Sequence, residues 1–303
     1  MAGHLRVLAA VPLVALAWGC SSGSDTVGDR AAPASTGLPT TTVEPSSTTT
    51  TSTSTTVPGP PVAADSPAGL AAQVTGAERA IRNPATPEPE LARAGHTQQV
   101  VYGRLGAREE LQSEVLAHVP SDVQPVVEAN VRAVDELARQ ARADAAAYGG
   151  GRSEPPDGRI VAPPPPGELL AEYRAAEAAA GVPWQYLAAI HFVETRMGRI
   201  RGNSVAGAQG PMQFIPSTWE IYGNGGDINN TSDAIQAAAR MLRANGAPSN
   251  MASALYSYNP SDRYVRAITT YAEQMMADER SYFGYYHWQV YFGGQLLPEG
   301  YGS

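Results

Sequence analysis

The chain has 303 residues, a net charge of −8 and 43% hydrophobic residues. That is enough for one or two folded domains, and an acidic balance without a basic run argues against a nucleic-acid partner. All 21 cationic side chains are arginine, which reads as coding bias. The single cysteine, Cys20, excludes an intrachain disulfide.

The first 19 residues read as a signal peptide. Arg6 gives a short basic start, and residues 7–18 are a 12-residue apolar stretch. This is too short to span a bilayer as a stable helix but suits a signal sequence. The only thiol follows directly after Gly19. The arrangement resembles a bacterial lipoprotein signal, in which Cys20 is lipidated and becomes the new N-terminus. Ala17 stands where leucine is commonest, and Trp18 is bulky so near a cleavage site. An ordinary signal peptide cut near Ala17 is the competing reading. Residues 20–66 follow as a Thr/Ser/Pro-rich disordered tether with no aromatic residue. As a flexible coil it reaches roughly 35–40 Å.

Residues 67–148 are rich in Ala, Arg, Glu and Val and read as helical. One helix is predicted over 90–118, closed by Pro120. Ser121 and Gln124 have the spacing of a capping box. Val123, Val127, Val131, Val134, Leu137 and Ala141 then recur at helical spacing. The pair predicts an antiparallel hairpin, read as a packing or spacer module. Residues 149–166 are a Gly/Pro-rich linker.

Residues 167–303 read as a compact α domain. A helix over 168–180 should stop at Gly181. Pro183 opens a second helix at N1, running to Gly198. Ser217 and Glu220 form another capping box. Thr231 or Ser232 should cap a helix over 233–245, and two more are expected over 250–258 and 261–276. The stretch 282–301 holds 8 of the chain's 22 aromatic residues, too dense for a disordered tail. Its "HWQVYF" reads as a strand. The fold class expected is mainly α.

Glu194 is out of place in this pattern. At 100° per residue, Leu187, Ile190, Glu194 and Met197 fall within about 80° of one another. A carboxylate thus sits in an apolar stripe, where it is rarely found unpartnered. Burial raises its pKa, and so does the negative end of the helix dipole. A carboxylic acid kept protonated near neutrality is a good general acid. Arg196 is expected to point to the opposite face; Arg199 and Arg201 lie beyond the helix. The bland alternative is a salt-bridged Glu at the stripe edge.

Three motifs add to this. They are Glu194-Thr195-Arg196-Met197-Gly198, then Gly210-Pro211-Met212-Gln213-Phe214-Ile215-Pro216, then Tyr258-Asn259. In order and spacing they resemble the lytic murein transglycosylases of the lysozyme-like superfamily. "GDINNTSDAIQAAARML" and "YNPSDRYV" are similar to the membrane-bound lipoprotein branch of actinobacterial type. The resemblance covers about 165–276. Thr195 stands for the usual Ser, Met197 for an aromatic residue, Pro211 for Leu, and Pro260-Ser261 for Ala-Gly.

The resemblance implies a lysozyme-like catalytic domain preceded by the hairpin and tether. It implies cleavage of the β-1,4 bond between N-acetylmuramic acid and N-acetylglucosamine in peptidoglycan, leaving a 1,6-anhydromuramic acid end. Glu194 would be the catalytic acid. Thr195, Met212, Gln213, Tyr258 and Asn259 would be the substrate-binding set. Gln213 and Asn259 would offer amides to the N-acetyl groups, Tyr258 a hydroxyl and a ring face, and Met212 would line the glycan groove. Asn259 could instead cap the following helix. No cofactor is expected, and the partner is the glycan strand. A monomer is expected, anchored by lipid on the outer side of the cell membrane and facing the wall. A hydrolytic muramidase and a non-catalytic wall-binding lipoprotein are the competing readings. Asp227, Asn229, Thr231 and Asp233 alternate as in a calcium loop. Ser232 and Ala238 stand where that loop needs Gly and Glu, so helix capping is preferred and no metal site is assigned.

Overall fold

The computed structural model describes residues 59–147, 158–204 and 206–302. The signal peptide, Cys20, most of the tether and the first half of the 149–166 linker lie outside the described residues. The chain is mainly helical, as its composition and periodicity predict. Eleven α-helices and four short strands occur among the described residues, and no helix there is long and apolar enough to cross a membrane.

Helix α1 (Pro67–Arg82) begins where the Ser66 hydroxyl accepts the Gly69 N–H at 3.2 Å. The helix predicted over 90–118 is two helices, α2 (Glu88–Ala107) and α3 (Gln112–His118), joined by a 3₁₀ turn over Glu109–Leu111. Arg108 leaves helical geometry at φ −131 and ψ 72. Gly103 and Gly106 weaken the end of α2. The Gln112 side chain then donates to the Leu105 carbonyl at 3.0 Å, satisfying an acceptor that the break frees.

Helix α4 (Gln124–Ala147) follows without the expected capping box. The Gln124 amide goes forward to Glu128 at 2.9 Å instead of back to Ser121. Asp122 holds Arg79 of α1 through two bonds of 2.9 Å. Residues 67–147 thus hold four α-helices, not two.

The second half runs α5 (Pro166–Ala180), α6 (Trp184–Thr195), α7 (Pro216–Tyr222), α8 (Thr231–Ala244), α9 (Met251–Tyr258), α10 (Asp262–Ala277) and α11 (Arg280–Tyr286). Gly181 ends α5 in the left-handed region at φ 69, as its sequence position predicts. Asn230, not Thr231 or Ser232, caps α8, and Asn250 and Ser261 cap α9 and α10. No side chain caps α7; Pro216 opens it after Ile215, so the Ser217–Glu220 box is absent and Glu220 is exposed. Strands β1 (Arg159–Ile160) and β2 (Ile200–Arg201) pair antiparallel, as do β3 (Val290–Phe292) and β4 (Gln295–Leu297). Only the end of the predicted "HWQVYF" strand is extended. His287 and Trp288 precede it.

Helix α6 is the centre of the body. Residues 187–195 are all buried, so this part of the helix has no wet face and the predicted stripe describes only part of its contacts. Phe192 meets Tyr271 edge-on with ring centroids 5.0 Å apart, stacks on Tyr285 at 5.1 Å and meets Trp288 at 5.0 Å. The aromatic end of the chain therefore closes the core.

Residues 67–147 pack into the same core. Tyr285 donates to Asn130 at 2.6 Å, and the Trp288 indole N–H donates to Gln98 at 2.8 Å. Gln99 and Gln289 exchange two bonds of 2.7 Å. Helices α2 and α11 approach so closely that a Cβ on Gly95 would lie 2.4 Å from the Gly284 carbonyl oxygen. The buried Glu78 gathers donors from three helices: Arg82, Gln98 at 3.1 Å, Tyr102, and Asn130 at 3.4 Å. Across α4 and α10, Glu136 binds Arg266 at 2.7 and 2.9 Å and Arg263 at 3.2 Å.

Candidate active site

Glu194 lies in the last turn of α6 and is 1% exposed. Burial raises its pKa to about 8, and a hydrogen bond from Tyr264 opposes the rise. The Tyr264 hydroxyl donates to Oε1 at 2.8 Å. Oε2 is buried and has no partner. With Oε1 committed as an acceptor, Oε2 is the oxygen left to carry a proton. No arginine pairs with this carboxyl among the described residues. Arg199 turns to the Tyr286 carbonyl and to Glu299, each near 3.2–3.3 Å. Arg201 turns to the Asn229 carbonyl at 3.4 Å.

Thr195 joins the helix end to the next motif. Its hydroxyl donates to the Pro211 carbonyl at 2.6 Å and accepts the Gly198 N–H at 3.1 Å. It is buried, and both bonds tie the end of the helix to the loop that follows. Replacing Thr195 with Val should leave both backbone groups unsatisfied. A loss of about 1–3 kcal/mol is expected, seen as a lower urea midpoint; an unchanged midpoint would show that the link contributes nothing.

The 208–215 loop is a tight turn. Gln209 and Phe214 exchange backbone bonds of 2.8 and 2.9 Å, and the Gln213 N–H reaches the Gly210 carbonyl at 3.1 Å. Gly210 is required here: φ is 72, and a Cβ would lie 1.9 Å from the Ile228 carbonyl oxygen. Gln213 sits at φ 50, an uncommon conformation for a residue with a side chain. Its Nε2 donates to the carbonyls of Gly210 at 2.8 Å and Gly202 at 3.3 Å, which fixes the orientation of the amide. Its Oε1 is buried without a partner. Glu194 and Gln213 thus each keep one unused oxygen.

Met212 is buried beside Gln213. Its carbonyl accepts the Tyr258 hydroxyl at 2.6 Å. Burial, and then the nearby Glu194, hold the Tyr258 hydroxyl well above its ordinary pKa. Asn259 follows at the C-cap of α9 and is buried; Ser261, not Asn259, caps α10. Glu194, Thr195, Met212, Gln213 and Tyr258 are therefore joined through a few bonds. Cys20 lies outside the described residues.

Sequence reasoning missed Tyr264. A signal for it exists: Tyr264, Ile268, Tyr271 and Met275 form the buried face of α10 at spacings of three and four, and a buried tyrosine hydroxyl seeks a partner. In the 227–233 turn, Asp233 accepts the Asp227 N–H at 2.9 Å and Asp227 accepts the Asn229 N–H at 2.9 Å. Those carboxylates close a turn and a helix start. No group of three or more His, Cys, Asp or Glu placed to hold a metal occurs among the described residues.

The chain was compared with protein-family models, with curated proteins and with solved structures, and none matches it.

Proposed function

We propose that the chain is a peptidoglycan lytic transglycosylase with a lysozyme-like catalytic half, and that Glu194 is its acid. The observation that carries this reading is a fully buried carboxyl with a pKa near 8, one oxygen held by Tyr264 and the other free. Such a group delivers a proton to the bridging glycosidic oxygen at neutral pH. The free Gln213 oxygen accepts an N–H, which suits the acetamido group of an amino sugar.

Hydrolysis by the usual route needs a second carboxylate about 5–9.5 Å from the acid. Asp227 and Asp233 are committed to their turn. With a single carboxyl, the substrate supplies what is missing. Its acetamido oxygen stabilises C1 as the bond breaks. Glu194, now ionised, takes the proton of the C6 hydroxyl, whose oxygen closes onto C1. One residue serves as acid and then as base, which a pKa near 8 favours. Exposed Glu220 is the carboxylate left for a muramidase reading, in which water attacks. Lipid attachment at Cys20 would place the enzyme on the outer membrane surface, with the tether reaching toward the wall.

Mass analysis of purified murein after digestion tests the reaction. Fragments lighter by one water, without a reducing muramic acid end, are expected. Reducing muramic ends with no anhydro species would favour the muramidase. No digestion at all would favour a non-catalytic wall-binding protein.

A further inference from the structure

Helix α6 ends at Thr195, and the three residues after it all hold left-handed backbone. Their φ values are 54 at Arg196, 59 at Met197 and 83 at Gly198. Glycine enters this region freely; an arginine followed by a methionine does so only under constraint. Such backbone persists where the surroundings over-determine it. Met197 is held through its N–H on the His191 carbonyl at 3.1 Å and its sulfur, which accepts the Tyr173 hydroxyl at 3.3 Å. Gly198 is held through its N–H on Thr195.

Arg196 is held in a different way. Its guanidinium is buried, with the residue only 3% exposed. It lies 4.8 Å from the centre of the Phe192 ring and 5.4 Å from that of Trp288. Nη1 donates to the Phe192 carbonyl at 3.0 Å, and that carbonyl also takes the Arg196 N–H at 3.1 Å. Nε has no partner, and no carboxylate pairs with the group among the described residues. Burial pushes its pKa down to about 10. A buried cation without a counter-ion is costly to fold. Two aromatic faces and one carbonyl at the negative end of α6 offset part of that cost.

We propose that Arg196 is a positioning residue for the reaction: resting as a clamp against the touching rings of Phe192 and Trp288, it fixes the left-handed elbow that sets the last turn of α6 and so aims the Glu194 carboxyl. The inference rests on the reading of Glu194 as the catalytic acid. The clamp also ties the site to the first half of the chain, because Trp288 is oriented by its bond to Gln98 of α2. Without the clamp, nothing rewards Arg196 for left-handed backbone. The elbow relaxes, and Thr195 and Glu194 shift with it.

The test compares the full chain with Arg196→Met, which keeps an unbranched apolar stem and removes the charge and the flat head. The melting temperature should hold or rise, because an unpaired buried cation is gone. Amide hydrogen exchange at Met197 and Gly198 should quicken at least about tenfold, while α10 keeps its protection. On soluble glycan strands kcat should fall about 10–100-fold, with KM changed less than about twofold. The exchange measurement needs no activity. It therefore judges the elbow even if the parent does not cut murein, a result that would count against the function alone. Loss of melting temperature and of α10 protection together with kcat would reduce Arg196 to general support and overturn the proposal. Unchanged exchange at the elbow would overturn it too, as would faster exchange with kcat intact. If the methionine variant does not fold, Arg196→Gln, which also removes the charge, is read by the same criteria.

Discussion

Glu194→Gln should fold at least as well as the parent and lack the murein-cleaving activity proposed for it. The amide is nearly isosteric and can still accept the Tyr264 hydroxyl through its oxygen, but it cannot deliver a proton. Loss of general acid–base function is worth about 10²–10⁴ in rate. The substitution should also change how stability depends on pH. The Glu194 pKa is raised from 4.5 to about 8 in the folded chain. Between those values the unfolded chain releases a proton that the folded chain keeps. Stability linked to this group is thus full below pH 4.5 and falls until the folded group ionises near pH 8. A shift of this size corresponds to several kcal/mol, on the order of 1.4 per pH unit. Glutamine removes that dependence, so the variant's melting temperature should exceed the parent's most clearly at pH 8. Parent-like clearing of murein by the variant would sink the assignment of the acid. Parallel pH–stability curves would argue against the raised pKa.

A chain that begins at Gly158 should fail to fold, even though it contains Glu194, Gln213 and Tyr258. Helix α4 alone places Val127, Val131, Val134 and Leu137 in the shared core. At about 1.5–3 kcal/mol for each such side chain, their burial contributes roughly 6–12 kcal/mol. That is comparable to the whole stability of a typical domain, about 5–15 kcal/mol. The truncation would also strip Tyr285 of Asn130, Trp288 of Gln98, and Arg263 and Arg266 of Glu136. Near-ultraviolet circular dichroism and soluble yield of 158–303 against 59–303 provide the measurement. A well-folded fragment that digests murein would show that the first half is an accessory.

Local punctuation was readable in the sequence. Gly181 ends α5, and Glu194 does sit in the last turn of a helix among apolar residues. The two capping boxes were not realised, because each had a competitor: Glu128 took the Gln124 amide, and Pro216 started α7 without a side-chain cap. Helix α6 was misjudged for another reason. A stripe argument assumes solvent on one side, and residues 187–195 have none. Arg196 was expected to point outward by continuing the helix past its end. The helix stops at Thr195, and left-handed backbone turns the side chain back against Phe192. Tyr264 and the packing of the first half were hidden because their partners are distant in sequence: Tyr264 and Glu194 are 70 residues apart.

The bonds that close the core join helices α1 and α2 to residues 280–289. Trp288 meets Gln98, and Gln289 meets Gln99, across 190 residues; Arg280 meets the Ile81 carbonyl across 199. Long-range pairing must overcome loop closure before it is rewarded, so high contact order slows folding. A nascent chain that has emerged only through α10 lacks Tyr285 and Trp288, the rings that pack on Phe192. Arg196 then has no second ring to rest on. The elbow after Glu194 is left unsecured until the aromatic end arrives. The surroundings of Glu194 are thus complete only once residues 285–288 are present, and a polypeptide whose synthesis has not reached them lacks that arrangement.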